Sequence, residues 1–148
     1  MSKTERQAEV TWQGNLLKGQ GRVRARSGTF GNVPLTWASR TEAHSEGKTS
    51  PEELIAAAHA GCYSMSLSQT LTAEGKTPEQ LTVNAICTFE QVEGMLKITT
   101  MTLNVQGKVP RMDSASFTEA ALKAEQRCPV SNALRNNVVI QVNAHLEE

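Results

Sequence analysis

Aromatic side chains are scarce in this 148-residue chain, where two Trp, one Tyr and three Phe make up 4%. A core of large rings is therefore excluded, and the Ala-rich middle points to elements that pack closely through small side chains. An excess of one charge is also missing. Fifteen Lys plus Arg balance fifteen Asp plus Glu, so no net field favours generic binding to nucleic acid or to an anionic membrane surface. No stretch approaches the roughly 20 apolar residues of a membrane span. The opening MSKTERQAEV carries charge with no apolar run after it, so no secretory signal is expected and the expected location is cytoplasmic. Cysteine is limited to Cys62, Cys87 and Cys128, an odd set without CxxC spacing. That set argues against a disulfide-stapled fold and against a structural zinc knot.

What is present fits one ordinary globular domain over residues 1–148, with 39% hydrophobic and 20% charged residues. The segment AEVTWQGNLLKGQGRVRARSG mixes short alternating runs with Gly and Asn turn signals and predicts two or three antiparallel strands. Thr29 to Arg40 predicts a further extended segment with Val33, Leu35 and Trp37 on one face. Arg22, Arg24 and Arg26 alternate without an aromatic stacking set, so a solvated strand or a pocket wall is expected rather than a nucleic-acid surface. After a polar loop, Ser50-Pro51-Glu52-Glu53 is a helix start. Ser50 suits the N-cap, Pro51 the first helical position, and Glu53 can close a capping box. The helix is predicted from Pro51 to about Ala73, ending at Gly75. Leu54, Ala58, Cys62, Met65 and Gln69 fall near one stripe, and Ala57, Gly61, Ser64 and Ser68 form a small-residue side.

Leu81 to Phe89 alternates as a half-buried strand, which gives Cys87 a sufficient packing role. Met95 to Val105 predicts a second strand, with a change of phase after Ile98 that suggests a bulge. Ser116 and Glu119 offer a capping box for a helix reaching about Arg127, with a short helix possible after Cys128, and Val138 to Leu146 closes the chain as a strand. The order βββ-α-ββ-α-β defines an α+β domain whose long helix must cover sheet.

Two cysteines have informative surroundings. Cys62 sits mid-helix, where the macrodipole offers little. In Arg127-Cys128-Pro129-Val130-Ser131 the proline can open a new turn with Cys128 at its N-cap, a position that favours a thiolate. His59 precedes Cys62 by three residues, so a Cys-His pair is conceivable beside a hydrogen-bonded packing role for the histidine. His44 and His145 share no ligand spacing with it, and no metal site is expected.

The run Ser50-Pro51-Glu52-Glu53-Leu54-Ile55-Ala56-Ala57-Ala58-His59-Ala60-Gly61-Cys62-Tyr63-Ser64-Met65, together with Cys128-Pro129-Val130-Ser131, closely resembles the osmotically inducible protein C branch of the OsmC/Ohr family of thiol peroxidases. The resemblance extends over nearly the whole chain. It implies an antiparallel sheet packed on a long central helix within an intertwined homodimer. It also implies reduction of organic hydroperoxides, and of hydrogen peroxide less well, without haem, metal or flavin. By matching positions, Cys62 is the peroxidatic cysteine, Cys128 the resolving one, and Arg40 and Glu52 the charged pair that organises the pocket. The loop between Arg40 and Pro51 is slightly longer than the family pattern, which leaves Arg22, Arg24 and Arg26 as alternative arginines.

In the implied cycle the Cys62 thiolate becomes a sulfenic acid and Cys128 condenses with it to a disulfide, which a dithiol or lipoyl-type reductant reopens. Glu52 would orient Arg40 through a bidentate pair. Glu52 precedes Cys62 by ten residues, about 15 Å along a helix, so it either completes a partner's site or supports Arg40 from the far end of a long bridge. Leu54, Ile55, Tyr63, Met65 and Phe30 are candidates to line an alkyl pocket or to be plain core. The rival readings are a non-catalytic binding or structural relative and a cysteine hydrolase using Cys62 and His59.

Overall fold

The structure, a computed structural model, describes residues 2–148 and divides into two units, Met1–Leu54 and Ile55–Glu148. The first unit holds strands β1 (Ala8–Gln13), β2 (Gln20–Ala25) and β3 (Val33–Leu35), joined antiparallel in that order, and the short helix α1 (Trp37–Thr41). Val10 pairs with Val23, and Gly21 with Leu35. A Cβ on Gly21 would stand 3.0 Å from the Trp12 ring and 3.3 Å from Leu35, so glycine lets these two side chains close over the strand without shifting. On β2, Gly21 and Val23 are buried while Arg22 and Arg24 are exposed, the period of a half-covered strand. Arg24 meets Glu9 at 3.1 Å on the open side.

The extended segment expected from Thr29 to Arg40 is a strand only over Val33–Leu35, and Trp37–Thr41 is helical. Thr36 caps α1 with its side chain accepting from Ser39 N–H, while the Ser39 hydroxyl oxygen accepts from Thr36 N–H. That reciprocal pair outcompetes the strand, because two backbone donors are satisfied locally.

Helix α2 (Pro51–Ala73) starts and stops where its caps dictate. Glu53 N–H donates to Ser50 Oγ at 3.1 Å, and the Glu53 carboxylate takes the Thr49 hydroxyl at 2.7 Å. At the far end Gly75 adopts φ +77°, and Lys76 N–H reaches back to Leu71 O at 2.9 Å, a Schellman closure.

In the second unit, β4 (Gln80–Val92) and β5 (Met95–Lys108) form a long hairpin. Glu93 and Gly94 both have positive φ, 51° and 79°, as a two-residue turn between right-twisted strands requires. Thr88 pairs with Thr100 and Phe89 with Ile98, so Thr99 is the extra residue of the bulge after Ile98. The last strand, β6 (Val139–Leu146), runs parallel to β5, where a wholly antiparallel sheet was expected. The helices α3 (Ser114–Arg127) and α4 (Pro129–Leu134) lie between them in sequence and carry the chain back to start in the same direction. The N-cap of α3 is Asp113, whose carboxylate accepts from Ser116 N–H at 2.7 Å, so this helix begins earlier than the Ser116-Glu119 capping box predicted. That hydrogen bond also lowers the Asp113 pKa.

The core gathers Tyr63, Leu67 and Leu71 of α2, Phe117, Ala120 and Ala124 of α3, and Leu103 and Val105 of β5. Each large apolar side chain buried there is worth about 1.5–3 kcal/mol. The covered face of α2 is therefore His59, Tyr63, Ser66, Leu67, Thr70 and Leu71, while Ala58, Met65 and Gln69 of the expected stripe are exposed. The hydroxyls of the covered face are satisfied by short reaches. Tyr63 Oη donates to Ala121 O and Ser66 Oγ to Ala124 O, both at 2.8 Å. The small residues Ala121 and Ala124 permit that approach. No helix of the described residues is long and apolar enough to cross a membrane.

Candidate functional site

Arg40 stands in the last turn of α1 and Glu52 in the first turn of α2. Arg40 Nε and Nη2 both reach Glu52 Oε1, at 2.9 Å each. This is a fork closing on one oxygen, not the bidentate pair expected from sequence. Glu52 is buried, its Oε2 has no hydrogen-bond partner, and the guanidinium lies over the Trp37 ring at 5.6 Å. A carboxylate in a helix's first turn is also favoured by the helix dipole. The pair forms within one chain. Among the described residues, Arg40 is the arginine that Glu52 meets.

The second unit brings the two cysteines together. Cys128 ends α3 and caps α4, a double position created by Pro129. Its Sγ accepts from Ser131 N–H at 3.5 Å. Cys62 packs against the core cluster that contains Cys128. Burial pushes the Cys62 thiol up; the neighbouring Cys128 adds to the rise and the Val130 N–H opposes it. Cys128 is fully enclosed and Cys62 partly so.

His59 does not act on Cys62 in this arrangement. Its Nε2 is hydrogen-bonded to Ser131 Oγ at 2.7 Å, its Nδ1 is buried without a partner, and burial lowers its pKa against the opposing pull of Glu125. Glu125 accepts from Arg135 Nη2 on both Oε1, at 2.6 Å, and its own carbonyl, at 3.1 Å. Ser131, Glu125 and Arg135 were not singled out from sequence. Only the third position after the Cys128 cap marked Ser131, and nothing local marked the other two.

The expected alkyl contacts separate. Tyr63 is completely enclosed, with its hydroxyl bonded inside and its pKa raised by burial, so its role is core and not pocket wall. Met65 is 76% exposed beside an open groove that includes Ser68, Pro78 and Leu81. Phe30, Leu54 and Ile55 are half-buried. Cys87 sits on β4 opposite Met101, as expected of a packing thiol, and His145 lies on β6 opposite Gln106. Among the described residues no three His, Cys, Asp or Glu side chains are grouped to hold a metal ion.

An α+β fold whose long helix packs one thiol, Cys62, against a core that holds a second, Cys128, at a helix break defines the class. Residues 43–143 match the family described as OsmC-like protein, and the chain belongs to it. It is 34% identical over 135 residues to Peroxiredoxin OsmC of Escherichia coli, covering 91% of this chain and 93% of that one. To the Organic hydroperoxide resistance protein of Xanthomonas axonopodis it is 31% identical over 91 residues, 61% of this chain and 62% of that one. Among solved structures, the organic hydroperoxide resistance protein from Elizabethkingia anophelis matches with a TM-score of 0.76 at 21% identity, over 99% of this chain and 100% of that one. OhrB of Bacillus subtilis matches with a TM-score of 0.71 at 20% identity, over 94% and 98%. These likenesses establish the OsmC/Ohr fold.

Proposed function

We propose that the chain is a cysteine-based peroxidase that reduces organic hydroperoxides, and hydrogen peroxide less well. The observation that carries this reading is the packing of Cys62 against the core cluster that holds Cys128, in a member of a family whose relatives are named peroxiredoxin and organic hydroperoxide resistance protein. The Cys62 thiolate attacks the terminal peroxide oxygen and the O–O bond breaks. The alkoxide leaves with a proton as alcohol, and the sulfur becomes a sulfenic acid. Cys128 then displaces the hydroxyl: the S–S bond forms, and the thiol proton leaves with that hydroxyl as water. A dithiol or lipoyl-type reductant takes up the oxidation by exchange.

Cys62 starts with its thiol form favoured by burial, so the first step needs a cation. Arg40 is assigned that role, stabilising the thiolate and the developing charge on the peroxide oxygen, with Glu52 holding the guanidinium. Leu54, Ile55, Phe30 and Met65 are assigned to the alkyl group. The working unit is a homodimer, since the first hairpin exposes Val10, Trp12, Leu16 and Leu17 and α2 exposes Met65. Sedimentation that gives a single chain's mass at micromolar concentration would refute the dimer.

The catalytic test is rapid mixing of the reduced protein with an organic hydroperoxide. Thiol oxidation is expected to vanish in C62S and to persist in C128S, stopping there at the sulfenic acid. Equal rates in wild type and C62S would reject the assignment, and unreactive thiols in wild type would favour a non-catalytic relative. The hydrolase alternative is disfavoured by the engagement of His59 with Ser131.

A further inference from the structure

Two residues of α2 and two at the start of α4 face each other with matching spacing. On α2, His59 and Cys62 are one turn apart; at α4, Cys128 and Ser131 are likewise one turn apart. Cys62 packs against the core cluster that includes Cys128, and His59 Nε2 is bonded to Ser131 Oγ at 2.7 Å. His59, Cys128 and Ser131 are all completely enclosed, so water does not compete for this bond. Ser131 also holds the Cys128 sulfur directly through its N–H. On the outer side, Arg135 at the end of α4 ties back to the carboxylate and carbonyl of Glu125 at the end of α3.

We propose that the His59–Ser131 hydrogen bond is a positioning pair for the resolving step: it sets the register of α4 against α2 and so holds the Cys128 sulfur where it can attack Cys62. The inference rests on the peroxidase reading only for the identity of the oxidant. The step it governs is displacement of a leaving group from Cys62 sulfur by Cys128 sulfur, with the Cys128 proton departing on that group. A six-residue helix opened by proline has few backbone bonds of its own to fix its placement. Attack at sulfur is strongly sensitive to alignment, and a displacement of about 1 Å can cost about 100-fold. The pair lies outside the peroxide-reacting group, so the first oxidation does not depend on it.

The test separates the two steps in S131A, H59L and H59Q, the last of which keeps a hydrogen-bonding atom near the place of Nε2. Reduced protein receives one equivalent of cumene hydroperoxide, is quenched with dimedone at successive times, and is weighed intact. S131A and H59L are expected to form sulfenic acid at the wild-type rate and to close the disulfide about 10- to 100-fold more slowly, with H59Q restoring most of the closure. The double variant S131A/H59L is expected to be no slower than either single one. Closure at the wild-type rate in S131A would overturn the proposal, as would equal slowing of both steps or an H59Q as slow as H59L. A parallel arm with diamide, which loads Cys62 with a displaceable hydrazine without any peroxide, reads the same closure. Wild type that closes with diamide but ignores peroxide would sink the peroxidase reading and leave the pair judged by the diamide rates.

Discussion

Arg40 directs both Nε and Nη2 at a single oxygen of Glu52, 2.9 Å from each, and leaves the other carboxylate oxygen buried without a partner. Glu52 is nearly enclosed while the arginine is about one-third exposed, so the pair is screened on one side only. Its main effect is to order the guanidinium. In Glu52→Gln the charge is lost while the shape is kept. A stability loss of about 1–2 kcal/mol is expected, below that of a fully buried pair. The peroxide step is expected to slow more than this loss suggests, because Arg40 is released from its orientation. Urea denaturation and rapid-mixing kinetics on the same preparation measure both; an unchanged first step would show that Glu52 does not order Arg40 for the chemistry.

Much of this arrangement was legible from sequence because it depends on local signals. The Ser50-Pro51 start and the Gly75 end of α2 were readable from cap chemistry, and the bulge from the phase change after Ile98. The covered face of α2 was not. The side turned inward includes the polar residues His59, Ser66 and Thr70, whose partners lie on α3 and α4 or one turn away. The parallel pairing of β6 was hidden for a similar reason, since alternation records which residues face inward and not the direction of the neighbouring strand. Of the candidate residues, Cys62, Cys128, Arg40 and Glu52 came from the family resemblance; cap mechanics alone ranked Cys128 above Cys62. The pairing of Ser131 with His59 became visible only in the fold.

His59 makes stability depend on pH in a predictable direction. Burial holds its pKa below the ordinary value of 6.5, with Glu125 working the other way while itself paired to Arg135. The unfolded chain therefore takes up a proton at this ring at higher pH than the folded chain does. The stabilising effect is fully present above about pH 6.5 and is lost as pH falls toward the depressed folded value, by at most about 1.4 kcal/mol per pH unit. Urea unfolding from pH 7.5 to 5.0 should show wild type losing stability relative to H59Q across that window. Parallel curves for the two proteins would mean that the ring gains no proton on unfolding there.

Gly107 shows how the scarcity of aromatics is offset by fit. A Cβ on this β5 residue would lie 2.4 Å from Phe117 Cζ and 2.6 Å from its Cε1, so the Phe117 ring of α3 uses the space that glycine leaves. Phe117 is completely enclosed in the core with Leu103 and Val105. Gly107→Ala would gain backbone rigidity but must push the ring away, and the second effect is larger because the interior has no room to give. A net loss of about 1–3 kcal/mol is expected. Phe117→Leu should cost about as much alone. In the Gly107→Ala background it should cost less, because the shorter side chain relieves the clash. Urea denaturation of the two single variants and the double variant gives the coupling, and strict additivity would show that the glycine does not serve the ring.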